Sequence, residues 1–369
     1  MKRLLLAGGG QAHVFVLREL ARRRPRDVEI VLATPYDQQI YSGMLPGWIA
    51  GHYQLPELTI PLPPLAAAAG VHLLTSRIVG LDLAAKTAYT SGGAAIEFDL
   101  LSIATGSVLD FDAIPGSGDY ALPLRPLENF VAGWQRIYMH VLSASDPTRL
   151  TIIGGGAGGS EIALAVMYRL RNVQDALRVH LVTGDVPILP GHGERARTLI
   201  REALLHYGVR LIAANATQLE PDTVVLEDGS TLASDATMLI TGPAAESWPG
   251  SAGLATDERG FITVNKHLQS VSHPFVFAAG DAASFQHAPR ARSGVYAVRA
   301  GPPLANNLLA SLEGTALRPY HPQRRALYLI SSGAQHAVAS WGPWAIDGDW
   351  LWRWKDRIDR AYIAQFRVK

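Results

Sequence analysis

The stretch AGGGQAHV, residues 7–14, follows the apolar run Leu4-Leu5-Leu6 and opens a helical pattern over 14–24. A buried strand ending in Gly8-x-Gly10 makes a tight turn and brings bare backbone close to a ligand. The helix behind it aims free N–H groups and its positive dipole end at the same place, which suits a pyrophosphate. The fingerprint for such a turn puts a third glycine where this chain has His13. That glycine serves close helix–strand packing, so phosphate binding survives the change. His13 is expected to displace the first helix and bring an imidazole beside the ligand; a plain packed helix residue is the alternative.

The segment TIIGGGAGGSE, residues 151–161, repeats the pattern in complete form with Gly154, Gly156 and Gly159. A helical pattern follows over 160–171, and each helix leads to a second strand, Val28–Ala33 and Arg178–Thr183. One glycine fingerprint is weak; two, each between strand and helix, are strong. Downstream, KTAYTSGGAAIEFDLLSIATG (86–106) and DTVVLEDGSTLASDATMLITG (222–242) each give a hairpin turn, an Asp, an apolar strand and Thr-Gly. Asp99 matches Asp235, and Thr105-Gly106 matches Thr241-Gly242, at one offset of 136. A repeat of this length means two copies of one α/β domain.

At 369 residues the chain has room for two or three domains. Its 48% hydrophobic and 18% charged content and net charge of +1 give no general pull toward nucleic acid. Cysteine is absent, which removes disulfides, thiolate metal sites, cysteine nucleophiles and any dithiol relay. The twelve histidines lack metal-site spacing, so no metal is expected. The opening MKRLLLA is like a secretory leader only briefly, because Gly8-Gly9-Gly10 cuts its apolar segment short. No run reaches the roughly 18–20 apolar residues of a spanning helix. A cytoplasmic protein is expected.

Residues 275–283, FVFAAGDAA, read as a buried strand ending in Gly280-Asp281 at a helix start. A carboxylate there is placed to meet a sugar or ribityl hydroxyl. Residues 294–312, GVYAVRAGPPLANNLLASL, supply a long helix that Pro302-Pro303 either kinks or starts afresh. Its N-terminus would stabilise the anion that forms on a reduced flavin.

Taken together, GGGxxH, the strand ending ATG (104–106), GGGAGGSE (154–161), ITG (240–242) and AAGD (278–281) resemble the two-dinucleotide-domain flavoproteins. These are the pyridine nucleotide-disulfide oxidoreductases and the type II NADH dehydrogenases. The resemblance covers essentially the whole chain. It implies a three-layer α/β fold of two Rossmann-like domains, with FAD in the first, NAD(P)H in the second and their rings meeting between them. The implied FAD-binding domain is 1–115 with 245–315, the NAD(P)H-binding domain is 116–244, and 316–369 is a small C-terminal region. Without cysteines the chain looks like the type II NADH dehydrogenase branch, where electrons pass from NAD(P)H through flavin to a small, quinone-like acceptor.

YSGMLPGWIAGHY (41–53), SGVYAVRAGPPLANNL (293–308) and LWRWKDRIDR (351–360) resemble the flavoprotein domain fused to some bacterial selenide, water dikinases. Reduction of a partner protein or of a selenium or sulfur compound is therefore a second reading. A flavin-binding module with a degenerate nicotinamide site is a third.

The resemblance assigns Gly8, Gly10 and His13 to the FAD pyrophosphate turn, Thr105 and Gly106 to the backbone beside FAD, and Gly280-Asp281 to its ribityl or phosphate side. It assigns Gly154, Gly156 and Gly159 to the NAD(P)H pyrophosphate, with Gly242 in the place that Gly106 holds in the first domain. Glu161 would stand beside the nicotinamide, orienting it or tuning hydride transfer; simple complementation of the helix dipole is the alternative. Met44, Leu45 and Pro46, with Trp48, occupy the loop where the disulfide branch keeps its cysteines, and would form an apolar flavin pocket or pack in the core. Tyr296 and Arg299, one turn apart, are placed near an approaching acceptor. Two departures stand out. The first domain's second strand ends Ala33-Thr34-Pro35, with no acid for the adenosine ribose. The second domain's ends Val182-Thr183-Gly184-Asp185, so Asp185 is expected to reach the ribose of NADH; alternatively Arg195 or Arg197 would serve the 2′-phosphate of NADPH, or these arginines form only a solvated helix face.

Five of the eight tryptophans fall within Trp341–Trp354, and 350–369 reads as a basic amphipathic helix. Leu351, Trp354, Ile358 and Tyr362 recur at helical spacing, with Arg353, Lys355, Arg357 and Arg360 around them. Such a helix either docks on the protein's own core, joins a homodimer, or makes peripheral contact with the inner face of the cell membrane.

Overall fold

The structure is a computed structural model that describes residues 1–173, 177–288, 290 and 292–368. Two five-stranded sheets carry it. The first has the spatial order 276–278, 100–103, 2–7, 28–34, 72–75; the second has 121–123, 236–239, 149–153, 178–182, 210–212. Neighbours within each sheet are parallel. Parallel sheets are covered on both faces and so demand continuous apolar strands, which is why Leu4-Leu5-Leu6 and Ile152-Ile153 are buried. In each sheet the chain order reverses beside the first strand, the switch point where α/β folds open a ligand crevice.

Each sheet also has an antiparallel satellite of three strands, 78–82, 87–90, 95–97 and 216–220, 223–226, 231–233. Adding 136 to 87–90, 95–97 and 100–103 gives 223–226, 231–233 and 236–239, so the repeat holds strand by strand. The matched aspartates have one structural task. Asp99 accepts the Arg3 backbone N–H at 2.7 Å, and Asp235 accepts that of Arg149 at 2.7 Å. Each thereby ties the last strand of its copy to the start of the first.

The helix Gln11–Arg22 packs against a second helix, Gly294–Glu313, which contains Pro302 and Pro303 within one continuous element. The prolines therefore do not start a new helix. The two helices meet closely at Gly301, where a Cβ would come within 2.3 Å of the Phe15 ring.

The C-terminal region forms three antiparallel strands, 328–331, 337–341 and 344–348, followed by the helix Asp349–Ala364. Residue 369, the end of the expected helix, lies outside the described residues. The helix docks on the protein's own core, but not by the face its periodicity suggested. Leu351, Trp352, Lys355, Asp359, Tyr362 and Ile363 are buried, whereas Trp354 and Ile358 are exposed. The rotation follows from a buried ion pair, Lys355 with Asp359 at 2.5 Å, which takes the inward positions. Phe15 receives Tyr362 and Phe366 on this face. Among the described residues, no helix is long and apolar enough to cross a membrane.

Candidate active site

The first glycine turn owes its glycines to a crossing. A Cβ on Gly8 would lie 2.6 Å from Thr105 Cα, and one on Gly10 would lie 2.3 Å from the Ala104 carbonyl oxygen. The turn thus rides directly on the end of the strand 100–103. Gly106, with φ +86°, faces open space instead, where a Cβ would meet nothing within 4 Å. Thr105 and Gly106 line a cleft with about 1390 Å³ of free space, its open mouth included.

Tyr36, Arg77, Gly8, Gly10, Gly280, Asp281 and Gly294 all line this cleft. Asp281 forms a 2.8 Å ion pair with Arg125, whose guanidinium also donates to Ser107 Oγ. Gln11 lines the cleft and its Oε1 is buried without a partner; Ser293 Oγ is similarly orphaned at the start of the helix 294–313. Buried polar atoms in native folds have partners. Orphaned atoms beside a bare glycine turn, in a cleft lined by both the turn and Gly280-Asp281, fit a dinucleotide such as FAD.

His13 is not part of that lining. It is fully buried, with Nδ1 2.5 Å from the Gly8 carbonyl oxygen and Nε2 2.8 Å from Ser102 Oγ. A carbonyl only accepts, so Nδ1 carries the proton and Nε2 accepts from the hydroxyl. Burial favours this neutral form and pulls the imidazole down to about 4. The expectation of an imidazole beside the ligand is corrected: the ring lies beneath the turn. In the second domain the same place is Gly159, whose Cβ would stand only 1.8 Å from the Gly154 carbonyl oxygen. A ring fits in one copy where a methyl does not in the other, so the first helix stands further from its turn.

Two other expectations are also corrected. Met44, Leu45 and Pro46 are buried in the core and do not line the cleft, because their short helix, Leu45–Ile49, turns inward. Gln38, Gln39, Ile40 and Ser42 supply the lining there. Arg299 is exposed and lines neither the main cleft nor its side cleft. Tyr296 does line the side cleft, together with Gly280, Asp281, Arg290, Arg292 and Ser293.

In the second domain a Cβ on Gly154 would lie 2.1 Å from the Ile240 carbonyl oxygen, the counterpart of the Gly8 crossing. Gly156 and Gly242 face open space. Asp185 is exposed just beyond the strand 178–182. The arrangement mirrors the first turn, with its open side toward solvent.

Glu161, on the helix Ala157–Leu170, belongs to a cluster the sequence did not reveal. It keeps some solvent access, but its carboxylate accepts the Ser331 N–H at 2.8 Å and sits in a desolvated place that pushes it up to about 7. The positive charge of Lys355 opposes that rise. Lys355 itself donates to Asp359 and to the Gly43 carbonyl oxygen, each at 2.5 Å, and Tyr41 donates to Asp359 at 3.1 Å. The helix 349–364 thereby brings an ammonium and a carboxylate to Tyr41 and Gly43, in the loop that follows the first domain's second strand, and within electrostatic reach of Glu161. Only a helical wheel turned toward Lys355 and Asp359 would have found them.

Two glycine turns on two equivalent sheets, with one acid tuned near neutrality between them and the C-terminal helix, define a two-dinucleotide oxidoreductase. Residues 2–299 match the family model of the pyridine nucleotide-disulphide oxidoreductases. The chain belongs to that family, whose cofactors are FAD and NAD(P)H, and it has the character of the NADH dehydrogenase-like branch. It is 27% identical to an NADH dehydrogenase-like protein of Mycobacterium tuberculosis over 77% of this chain and 73% of that one. It is 25% identical to the demethylphylloquinone reductase NdbB of Synechocystis over 90% and 85% of the two chains. Among solved structures, NDH2 of Plasmodium falciparum in complex with NADH superposes with a TM-score of 0.81 at 12% identity, covering 99% of this chain and 97% of that one.

Proposed function

We propose that this protein oxidises NAD(P)H through FAD and passes the electrons, without a redox disulfide, to a quinone-like acceptor. The observation that supports the reading is the Glu161–Lys355–Asp359–Tyr41 cluster, whose Tyr41 opens the loop 41–53 that, by the family resemblance, stands in the place of a disulfide reductase's cysteines. FAD, when bound, supplies the step between two-electron hydride transfer and reduction of the acceptor. The protein's residues do the rest. Gly8, Gly10 and the start of the helix 11–22 hold a pyrophosphate; Asp281 offers a carboxylate to hydroxyls once Arg125 is shared or displaced. Gly154, Gly156 and the start of the helix 157–170 hold NAD(P)H, placing Glu161 beside its reactive end. A carboxyl poised near 7 gives up or takes a proton at physiological pH. Two-electron reduction of a quinone consumes protons, so such a group has work there.

A membrane surface is the source of acceptor that the exterior favours. Trp341, Trp344, Ile346, Trp350, Trp354 and Ile358 are between 42% and 73% exposed, on the strands 337–348 and one stripe of the helix 349–364. Tryptophan with flanking arginine, here Arg353 and Arg357, suits the headgroup layer.

The test has two stages. Anaerobic titration with NADH and with NADPH is expected to bleach the flavin absorbance of the purified protein with one of them; a band untouched by either sinks the reading. Turnover with a short-chain quinone is then compared with and without phosphatidylglycerol vesicles. Binding to vesicles that is lost in W344S/W354S supports the membrane. Self-association removed by the same variant identifies a homodimer face instead.

A further inference from the structure

We propose that Glu128, at the start of the second domain's helix Leu127–Ser143, holds the adenosine ribose of the FAD bound in the first domain. The inference rests on the FAD reading above and goes beyond it by naming a residue from the opposite domain. A dinucleotide fold ordinarily meets the ribose diol with an acid at the end of its second strand. Here that strand, Val28–Thr34, ends Thr34-Pro35-Tyr36 with no acid at its tip, and Asp37, the next residue, is exposed and does not line the cleft.

Glu128 stands where the missing acid would reach. It lines the same cleft as Thr34, Pro35 and Tyr36. Its charge is close enough to Tyr36 to help raise that phenol. Residues 124–128, just before and at the start of the helix 127–143, all line the cleft, and Arg125 among them binds Asp281. The chemistry also matches. A carboxylate has two acceptor oxygens, and a vicinal diol has two donors. Burial pushes the Glu128 carboxyl above its usual range, with its own backbone N–H as the only opposing influence. Among the described residues Glu128 forms no ion pair, although Arg77 and Arg125 line the same cleft, and a largely desolvated acid is well served by two hydroxyl donors. Glu246, another carboxylate in the lining, already accepts the indole N–H of Trp248 at 2.8 Å.

The experiment titrates flavin-free protein with FAD and with an FAD analogue carrying 2′-deoxyadenosine, reading the quenching of flavin fluorescence. Hydrogen bonds to a charged group give an expected preference for FAD of roughly ten- to hundredfold. Glu128→Gln is expected to lose affinity for FAD and most of that preference. Glu128→Asp keeps the charge that a helix N-terminus favours but withdraws the carboxylate, and is expected to lose the preference too. Unchanged melting of the flavin-free variants shows that they fold. Preference kept in both Glu128 variants, absent from the wild type, or lost in Glu246→Gln instead overturns the assignment while leaving FAD binding intact. Failure of the wild type to bind FAD at all overturns the cofactor reading itself.

Discussion

His13 donates through Nδ1 to the Gly8 carbonyl oxygen at 2.5 Å, so a residue that breaks the glycine fingerprint braces the turn the fingerprint describes. Restoring the consensus should therefore do harm. His13→Gly removes a buried ring and leaves both Gly8 O and Ser102 Oγ without their partner. A loss of about 2–4 kcal/mol is expected, with weaker FAD binding, by denaturant melts and flavin titration.

The same residue sets an acid limit. Its folded value, about 4, lies below the ordinary 6.5, so the unfolded chain binds more protons between the two. Stability from His13 is full above 6.5 and is lost as pH falls toward 4. His13→Asn, whose amide can still donate to Gly8 O, should flatten that slope; an unchanged pH dependence of melting refutes the assignment.

Glu161 runs in the opposite sense. Its folded value, about 7, exceeds the ordinary 4.5, so its charged form burdens the fold as pH rises through that interval. Glu161→Gln should gain about 1–3 kcal/mol at pH 8 while quinone turnover falls. The inflection near 7 should vanish from its kcat profile. Slower turnover with the inflection intact would mean that another group titrates.

Lys355→Met strands Asp359 and the Gly43 carbonyl oxygen in the interior. Breaking one side of a buried pair costs about 3–5 kcal/mol, and replacing both sides with apolar groups recovers much of it. A Lys355→Met/Asp359→Leu double variant should therefore melt above the single one. Equal melting would show the pair to be uncoupled.

The second turn separates space from chemistry. Gly159→Ala would place a methyl 1.8 Å from the Gly154 carbonyl oxygen, whereas Gly156→Ala meets nothing within 4 Å. The first should lower the melting temperature. The second should melt normally yet raise KM for NAD(P)H severalfold, because only the bound pyrophosphate occupies that space. An unchanged KM would place the dinucleotide elsewhere.

What the sequence made legible was local or repeated. The turns at Gly8 and Gly154, the hairpins at an offset of 136 and the strand leading to Asp281 each lie within one short segment whose periodicity reports their surroundings. Residues placed by tertiary rotation were hidden. Trp354 and Ile358 continue an apolar stripe with Leu351 and Tyr362, but inward-facing charges at Lys355 and Asp359 turn them to solvent. Met44 and Leu45 read equally as pocket or core, and only the turn of their helix decides for core. Glu128 had no signal at all, because the strand end it faces, Thr34-Pro35-Tyr36, lies more than ninety residues upstream.

The helix 349–364 also acts as a fastener. On the first domain's loop it holds Tyr41, Tyr53 and Glu57 through Asp359, Asp356 and Arg360. The strands before it reach the second domain, where Ser331 binds Glu161 and Gly333 packs on Leu164. The two nucleotide carriers are thus strapped across one joint rather than left to swing on their crossover segments. Hydride moves only across a gap held to a fraction of an ångström. A tail exchanged from a relative would therefore alter the spacing of the two rings, and with it the rate, before it altered what the protein touches outside.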